Sequence, residues 1–128
     1  MIEKRTDLID FSLLARSGQE PVSYAPGAVI FDVGDADDMA YVVKSGTVEI
    51  HHGADDVETL GTSALFGELA LIEPRTRTTK AVATSQVEII PITIRVFLFL
   101  ISEEPNFALN VLKLLVRRLR TADLRVAE

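Results

Sequence analysis

Met39-Ala40-Tyr41-Val42-Val43-Lys44-Ser45-Gly46-Thr47-Val48-Glu49-Ile50-His51 is the stretch that decides the fold class. Two short runs rich in β-branched residues flank a Lys44-Ser45-Gly46 turn. The second run alternates apolar and polar, as a half-buried strand does. The same texture extends outward. Toward the N-terminus, Pro26-Gly27 is a turn signal, Ala28 to Phe31 reads as a strand, and Gly34-Asp35 with Ala36-Asp37-Asp38 reads as a polar turn. Toward the C-terminus, Gly53-Ala54-Asp55-Asp56 turns again and Val57 to Leu60 continues as a strand. Beyond a loop region, 61 to 79, Lys80 to Thr84 and Gln86 to Ile92 are strands. Short strands cut by regularly spaced turns predict an antiparallel β-roll, jelly-roll-like, over residues 22–92.

The period changes on both flanks. Leu8, Phe11 and Leu14 recur every three residues after a capping Asp7, which predicts a helix over 7–18 ending at Gly18. Thr93 to Glu103 reads as a helix broken at Pro105, and 106–126 as a second one. In the latter, Phe107, Val111, Leu114, Leu115 and Leu119 make one apolar face. The expected fold class is α+β, mainly β: a β-roll flanked by an N-terminal helix and two C-terminal helices, as a single domain spanning 1–128. No internal repeat or low-complexity segment interrupts it.

Of the 128 residues, 48% are hydrophobic and 25% charged, an ordinary soluble composition with enough chain to bury a core. There is no Cys, which excludes disulfides, thiolate metal sites and Cys nucleophiles. Met1 to Arg5 leads into no signal-peptide core, and the apolar stretch Ile89 to Ile101 is broken by Pro91, Thr93 and Arg95. The expectation is a cytoplasmic protein without membrane insertion. A net charge of −6 repels nucleic acid in bulk, so no nucleic-acid partner is expected and no helix-turn-helix is read.

The chemistry concentrates in the loop Phe66-Gly67-Glu68-Leu69-Ala70-Leu71-Ile72-Glu73-Pro74-Arg75-Thr76-Arg77-Thr78-Thr79. Gly67 permits close backbone approach. Glu68 to Leu71 are good helix formers, so a short helical turn presents free N–H groups ahead of it. Arg75 or Arg77 returns a guanidinium able to grip a phosphate bidentately. Glu68 accepts hydrogen bonds from sugar hydroxyls. A carboxylate beside a phosphate grip suits a ligand that offers donors as well as negative charge, and a ribose phosphate offers both.

Phe66 to Ile72 followed by Arg77-Thr78 resembles the phosphate-binding cassette of cyclic nucleotide-binding domains. That family includes kinase regulatory subunits, catabolite activators and gated channels. The resemblance extends to Pro26–Asp35, to Met39–Gly46 and to Glu104-Pro105-Asn106 before a long helix, and so covers nearly the whole chain. It implies a β-roll that senses cyclic AMP or cyclic GMP, uses no catalytic residue, metal or cofactor, and moves its C-terminal helices on ligand capture. By the same resemblance, Phe66, Gly67, Glu68, Leu69, Ala70, Arg77 and Thr78 bind ligand. Gly67 and the amides of Leu69 and Ala70 line the phosphate, Glu68 takes the ribose 2′-hydroxyl, and Arg77 pairs with the cyclic phosphate. Thr78 bonds phosphate or a guanine amino group. Pro74-Arg75 is the dipeptide the family often carries at the return limb, two residues early here, which keeps Arg75 as the alternative. Ser63 stands where the family usually has Gly, and Lys80 where Thr or Ser is common.

Plainer readings accompany these. Gly34 and Gly46 are turn glycines. His51 and His52 are adjacent on a strand, point to opposite faces and cannot chelate one metal, so a cupin-type enzyme is not expected. Asp37-Asp38 and Asp55-Asp56 read as solvated turn charges, and Arg117, Arg118, Arg120 and Arg125 as a solvated helix end. A degenerate pocket would leave a protein-interaction module, with an effector or a second copy docking on the C-terminal helix.

Overall fold

The structure is a computed structural model that describes residues 11–73 and 75–127; of Arg75 and of residues 121–127 it describes the backbone. Residues 7–10 of the expected first helix, Pro74, and the Arg125 side chain lie outside the described residues.

Two four-stranded antiparallel sheets face each other. The first has the order β1 (Val22–Tyr24), β10 (Val87–Ile92), β4 (Ala40–Ser45), β7 (Leu65–Phe66). The second runs β2 (Val29–Phe31), β9 (Lys80–Ala83), β5 (Val48–His51), β6 (Val57–Leu60). A two-stranded ribbon pairs β3 (Ala36–Asp37) with β8 (Arg75–Thr76). Helices α1 (Phe11–Arg16), α3 (Ile94–Glu103) and α4 (Pro105–Ala127) flank the roll, and the four-residue α2 (Leu69–Ile72) interrupts it. This is the expected mainly-β roll with flanking helices.

The sheets differ in sequence texture because they differ in what covers them. On β4, Tyr41 and Val43 point into the roll while Ala40 and Val42 point at the helices. On β10, Val87 and Ile89 face inward, and Ile90 and Ile92 outward. Both strands are covered on two faces along Ala40–Val43 and Ile89–Ile92, and there they read as near-continuous apolar runs. Strand β5 is covered on one face only and alternates, with Val48 and Ile50 buried and Glu49 and His51 half-exposed. The inner core joins Phe31, Tyr41, Phe66, Ile50 and Leu60 with their neighbours between the sheets. The outer core packs Leu13, Leu14, Val96, Phe97, Leu100, Phe107, Val111 and Leu114 on the back of the first sheet. Each fully buried Val, Leu, Ile or Phe adds about 1.5–3 kcal/mol to the folded state, so two shared cores make the first sheet the spine of the molecule.

Several local expectations change. Strand β4 continues through Ser45, and the turn is Gly46 at φ +91°. A Cβ there would overlap the Gln86 carbonyl oxygen. Thr93 is the N-cap of α3, its hydroxyl accepting from the Val96 N–H at 3.2 Å. Pro105 opens α4 rather than only ending α3, since the first helical position needs no N–H and suits a fixed φ. Leu119 is 65% exposed and does not share the buried face with Phe107, Val111 and Leu114. Instead Leu109, Leu112, Val116 and Leu119, spaced three, four and three, form a second, exposed apolar stripe on α4.

Candidate functional site

Ala36-Asp37 pairs with Arg75-Thr76 in a short ribbon, and this ribbon aims Arg77. The Arg77 N–H donates to the Asp35 carbonyl and its own carbonyl accepts from the Gly34 N–H, each at 2.8 Å. The side chain turns inward and is 7% exposed. Its Nη2 donates to Asp37 Oδ2 at 2.9 Å and to the Met39 carbonyl at 2.6 Å, and Nη1 donates to the Gly67 carbonyl at 3.2 Å. The guanidinium also lies 4.1 Å from the Phe31 ring centroid, a cation–π contact.

Asp37 is therefore no solvated turn charge. Burial pushes its carboxyl up, but the hydrogen bonds from Arg77 and Tyr41 and the Arg77 charge outweigh that and hold it below the ordinary 3.8. Tyr41 donates to the same carboxylate at 2.8 Å, and burial with that partner pushes its phenol well above its usual value. One donor is left over. Buried Arg77 Nε has no hydrogen-bond partner among the described residues. A buried orphan donor costs about 1–3 kcal/mol, and an anion entering beside Arg77 is one way to supply its acceptor.

Gly67 turns the chain at φ +72°. A Cβ there would lie 2.8 Å from Arg77 Nη1, so the missing side chain serves both the left-handed backbone and the close approach of the guanidinium. The turn leads into α2. Its Ala70 N–H is drawn onto the Gly67 carbonyl at 3.3 Å and Leu71 N–H onto that of Glu68 at 3.1 Å. The amides of Glu68 and Leu69 come too early in the turn to have an acceptor four residues back. Of the two amides expected to line a phosphate, Ala70 is thus already engaged.

Glu68 is 2% exposed, a buried carboxylate. Its partner is Arg118 of α4, whose Nη1 donates to Oε1 at 2.7 Å and to Oε2 at 2.6 Å, while Nη2 reaches the Leu65 carbonyl at 3.4 Å. The expectation of a wholly solvated arginine cluster fails at Arg118. Phe107, Val111, Leu114 and Arg118 are spaced four, three and four, which puts Arg118 on the buried stripe of α4. That spacing was the available signal.

These groups meet at one cavity of about 320 Å³, within the size range of small-ligand pockets. Phe66, Gly67, Glu68, Leu69, Ala70, Arg77 and Thr78 all line it, together with Phe31, Ile50, His52, Glu58, Thr76, Thr79 and Arg118. The two histidines separate as strand geometry requires. His51 sits 3.1 Å from Glu49 Oε1 on the outside, whereas His52 lines the cavity with its Nε2 3.7 Å from Glu58 Oε1. The described residues hold no group of three or more His, Cys, Asp or Glu placed to bind a metal. Nor do they include a helix long and apolar enough to cross a membrane.

A buried guanidinium, a Cβ-free turn and a buried carboxylate around one cavity can hold a phosphate and a hydroxyl-bearing group side by side. Comparison with known proteins points the same way. The family model described as "Cyclic nucleotide-binding domain" matches residues 21–104. A protein named cyclic AMP receptor protein, from Thermus thermophilus, is 37% identical over 108 residues, covering 80% of this chain and 50% of its own. A CRP-like cAMP-activated global transcriptional regulator of Mycobacterium tuberculosis is 29% identical over 114 residues, covering 85% and 51%. The crystal structure of the Thermus thermophilus catabolite activator protein superposes with a TM-score of 0.74 at 34% identity, over 94% of this chain and 57% of that one. The chain spans about half the length of the curated relatives it matches.

Proposed function

Because the chain belongs to the cyclic nucleotide-binding domain family, we propose that it captures cyclic AMP or cyclic GMP in this cavity and relays occupancy to α4. The observation that carries the reading is that Glu68 and Arg77, both buried, line the same cavity as Arg118 of the last helix. The cyclic phosphate binds beside Gly67 and Arg77, whose unpartnered Nε favours an added acceptor. Glu68 accepts the ribose 2′-hydroxyl, and Thr78, which lines the same cavity, bonds phosphate or base. The module acts by binding and needs no catalytic residue or cofactor; the matched relatives carry the names of a receptor and of a regulator.

The relay follows from Glu68 having two suitors. In this structure its carboxylate is held by Arg118, and a ribose hydroxyl competes for the same oxygens. Ligand capture then shifts the Arg118 contact, and α4 with it, by the difference in ligand affinity between the two arrangements. Calorimetric titration with both nucleotides tests the reading: saturable binding to the wild type, weakened in Arg77→Ala by the ~2–5 kcal/mol of a stripped charge pair. No heat with either nucleotide, or equal binding by Arg77→Ala, would sink it.

A second surface favours an interaction role beside ligand binding. The stripe Leu109, Leu112, Val116 and Leu119 on α4 follows coiled-coil spacing and is exposed. It suits a second copy of the chain packed helix to helix. Sedimentation across a concentration series reports it, and a single monomeric species at every concentration would dismiss it.

A further inference from the structure

With phosphate at Arg77 and sugar at Glu68, the base must lie against the rest of the lining, and that lining is not uniformly apolar. The inward faces of β5 and β6 run Val48, Ile50 and then His52 on one strand, and Leu60 then Glu58 on the other, with Ile50 and Glu58 paired across the ladder. Where the apolar core stops, two polar side chains take the inward positions at the cavity wall. They belong to a different element from the β3–β4 segment and Gly67 that hold Arg77. A carboxylate facing a cavity built for an anion is unfavourable unless something donates to it. His52 Nε2 sits 3.7 Å away, too far to donate, and the Glu58 side chain is 37% exposed, so water meets its acceptor sites until a base that brings its own donors displaces it.

We propose that Glu58, with His52 beside it, selects the base in this cavity and tilts the site toward guanine over adenine. The inference rests on the cyclic nucleotide reading above. Guanine presents N1–H and the exocyclic N2 amine side by side, two donors that a carboxylate accepts together, with the O6 acceptor next to them for the His52 N–H. Adenine offers one amine, flanked by the N1 lone pair, so one carboxylate oxygen would face a lone pair. A base fork of this kind discriminates by roughly 5- to 150-fold.

Calorimetric titration of the whole chain with cyclic GMP, cyclic AMP and cyclic IMP tests this. Cyclic IMP keeps N1–H and lacks the N2 amine. In the wild type it should bind about tenfold more weakly than cyclic GMP, and in Glu58→Ala that gap should close. The ratio of Kd for cyclic AMP to Kd for cyclic GMP should fall at least fivefold in Glu58→Ala. It should fall further in Glu58→Gln, whose amide pairs one donor and one acceptor as adenine requires. His52→Leu, which removes the donor, should weaken cyclic GMP and cyclic IMP alike, because both carry O6. If Glu58 and His52 only fasten the β5–β6 hairpin, both Glu58 variants will melt lower with every nucleotide ratio unchanged, and the inference is overturned. Failure of the wild type to bind any of the three nucleotides overturns the binding reading and this inference with it. Binding with unchanged ratios overturns the inference alone.

Discussion

Replacing Arg118 by Met probes an ion pair that ties the last helix to the loop. Glu68 is 2% exposed and Arg118 29% exposed, so water reaches one end of the pair and not the other. Unit charges about 4 Å apart attract by ~4 kcal/mol at an effective dielectric of 20. Ordering a long Arg side chain returns up to ~2 kcal/mol of that, leaving about 2 kcal/mol. Removing Arg118 alone also strands the Glu68 carboxylate, and breaking a fully buried pair costs ~3–5 kcal/mol. The half-open Arg end brings the expected loss to about 2–3 kcal/mol. In urea denaturation, Arg118→Met should lower the midpoint at unchanged slope. Glu68→Gln with Arg118→Met should recover much of the loss, giving a coupling energy of about 1–3 kcal/mol in the double-mutant cycle. Arg120→Met, exposed on the same helix, is the control and should change stability by less than ~0.5 kcal/mol. A coupling energy under ~0.5 kcal/mol would refute the reasoning, because Glu68 would then be solvated or otherwise paired and Arg118 a surface charge.

Other outcomes follow from single residues. Ser63 is the one non-glycine residue at positive φ (75°) among those described, and it is 3% exposed. Ser63→Gly should raise stability by about 0.5–1 kcal/mol, the left-handed strain relieved less the added unfolded-state entropy, read as a higher Tm. Gly67→Ala combines φ +72° with a Cβ 2.8 Å from Arg77 Nη1, so it should weaken cyclic nucleotide binding at least tenfold in calorimetry while strand content by circular dichroism persists. The Asp37 carboxyl is held below its ordinary 3.8 in the fold. Its stabilising contribution is therefore complete above about pH 4 and lost as pH falls through the folded-state value. Asp37→Asn should flatten the acid limb of the stability–pH curve, and an unchanged acid limb would show that the Arg77 contact adds nothing.

Sequence by itself determined the periodicities and the chemistry of the loop. Alternation in Thr47–His51 predicts a strand covered on one face, and the apolar runs at Met39–Val43 and Val87–Ile92 fit strands covered on two, because side-chain direction along a strand is local geometry. Gly67, Glu68 and Arg77 stand out for the same reason: a tight turn, a carboxylate and a guanidinium are properties of residue type. What surrounds each group is not local, and there the tertiary structure decided. Asp37 reads as a turn charge until the β3–β8 ribbon brings it to Arg77, forty residues away. Arg118 reads as one of several surface arginines until α4 packs on the first sheet and delivers it to Glu68, fifty residues away. Leu119 reads as core until the crossing of α4 leaves its side of the helix uncovered. A charge reveals its partner only once the chain between them is folded, and a helix reveals which face is buried only once its neighbour is in place. That is why the loop was legible in the sequence, and why the helix that closes on it was not.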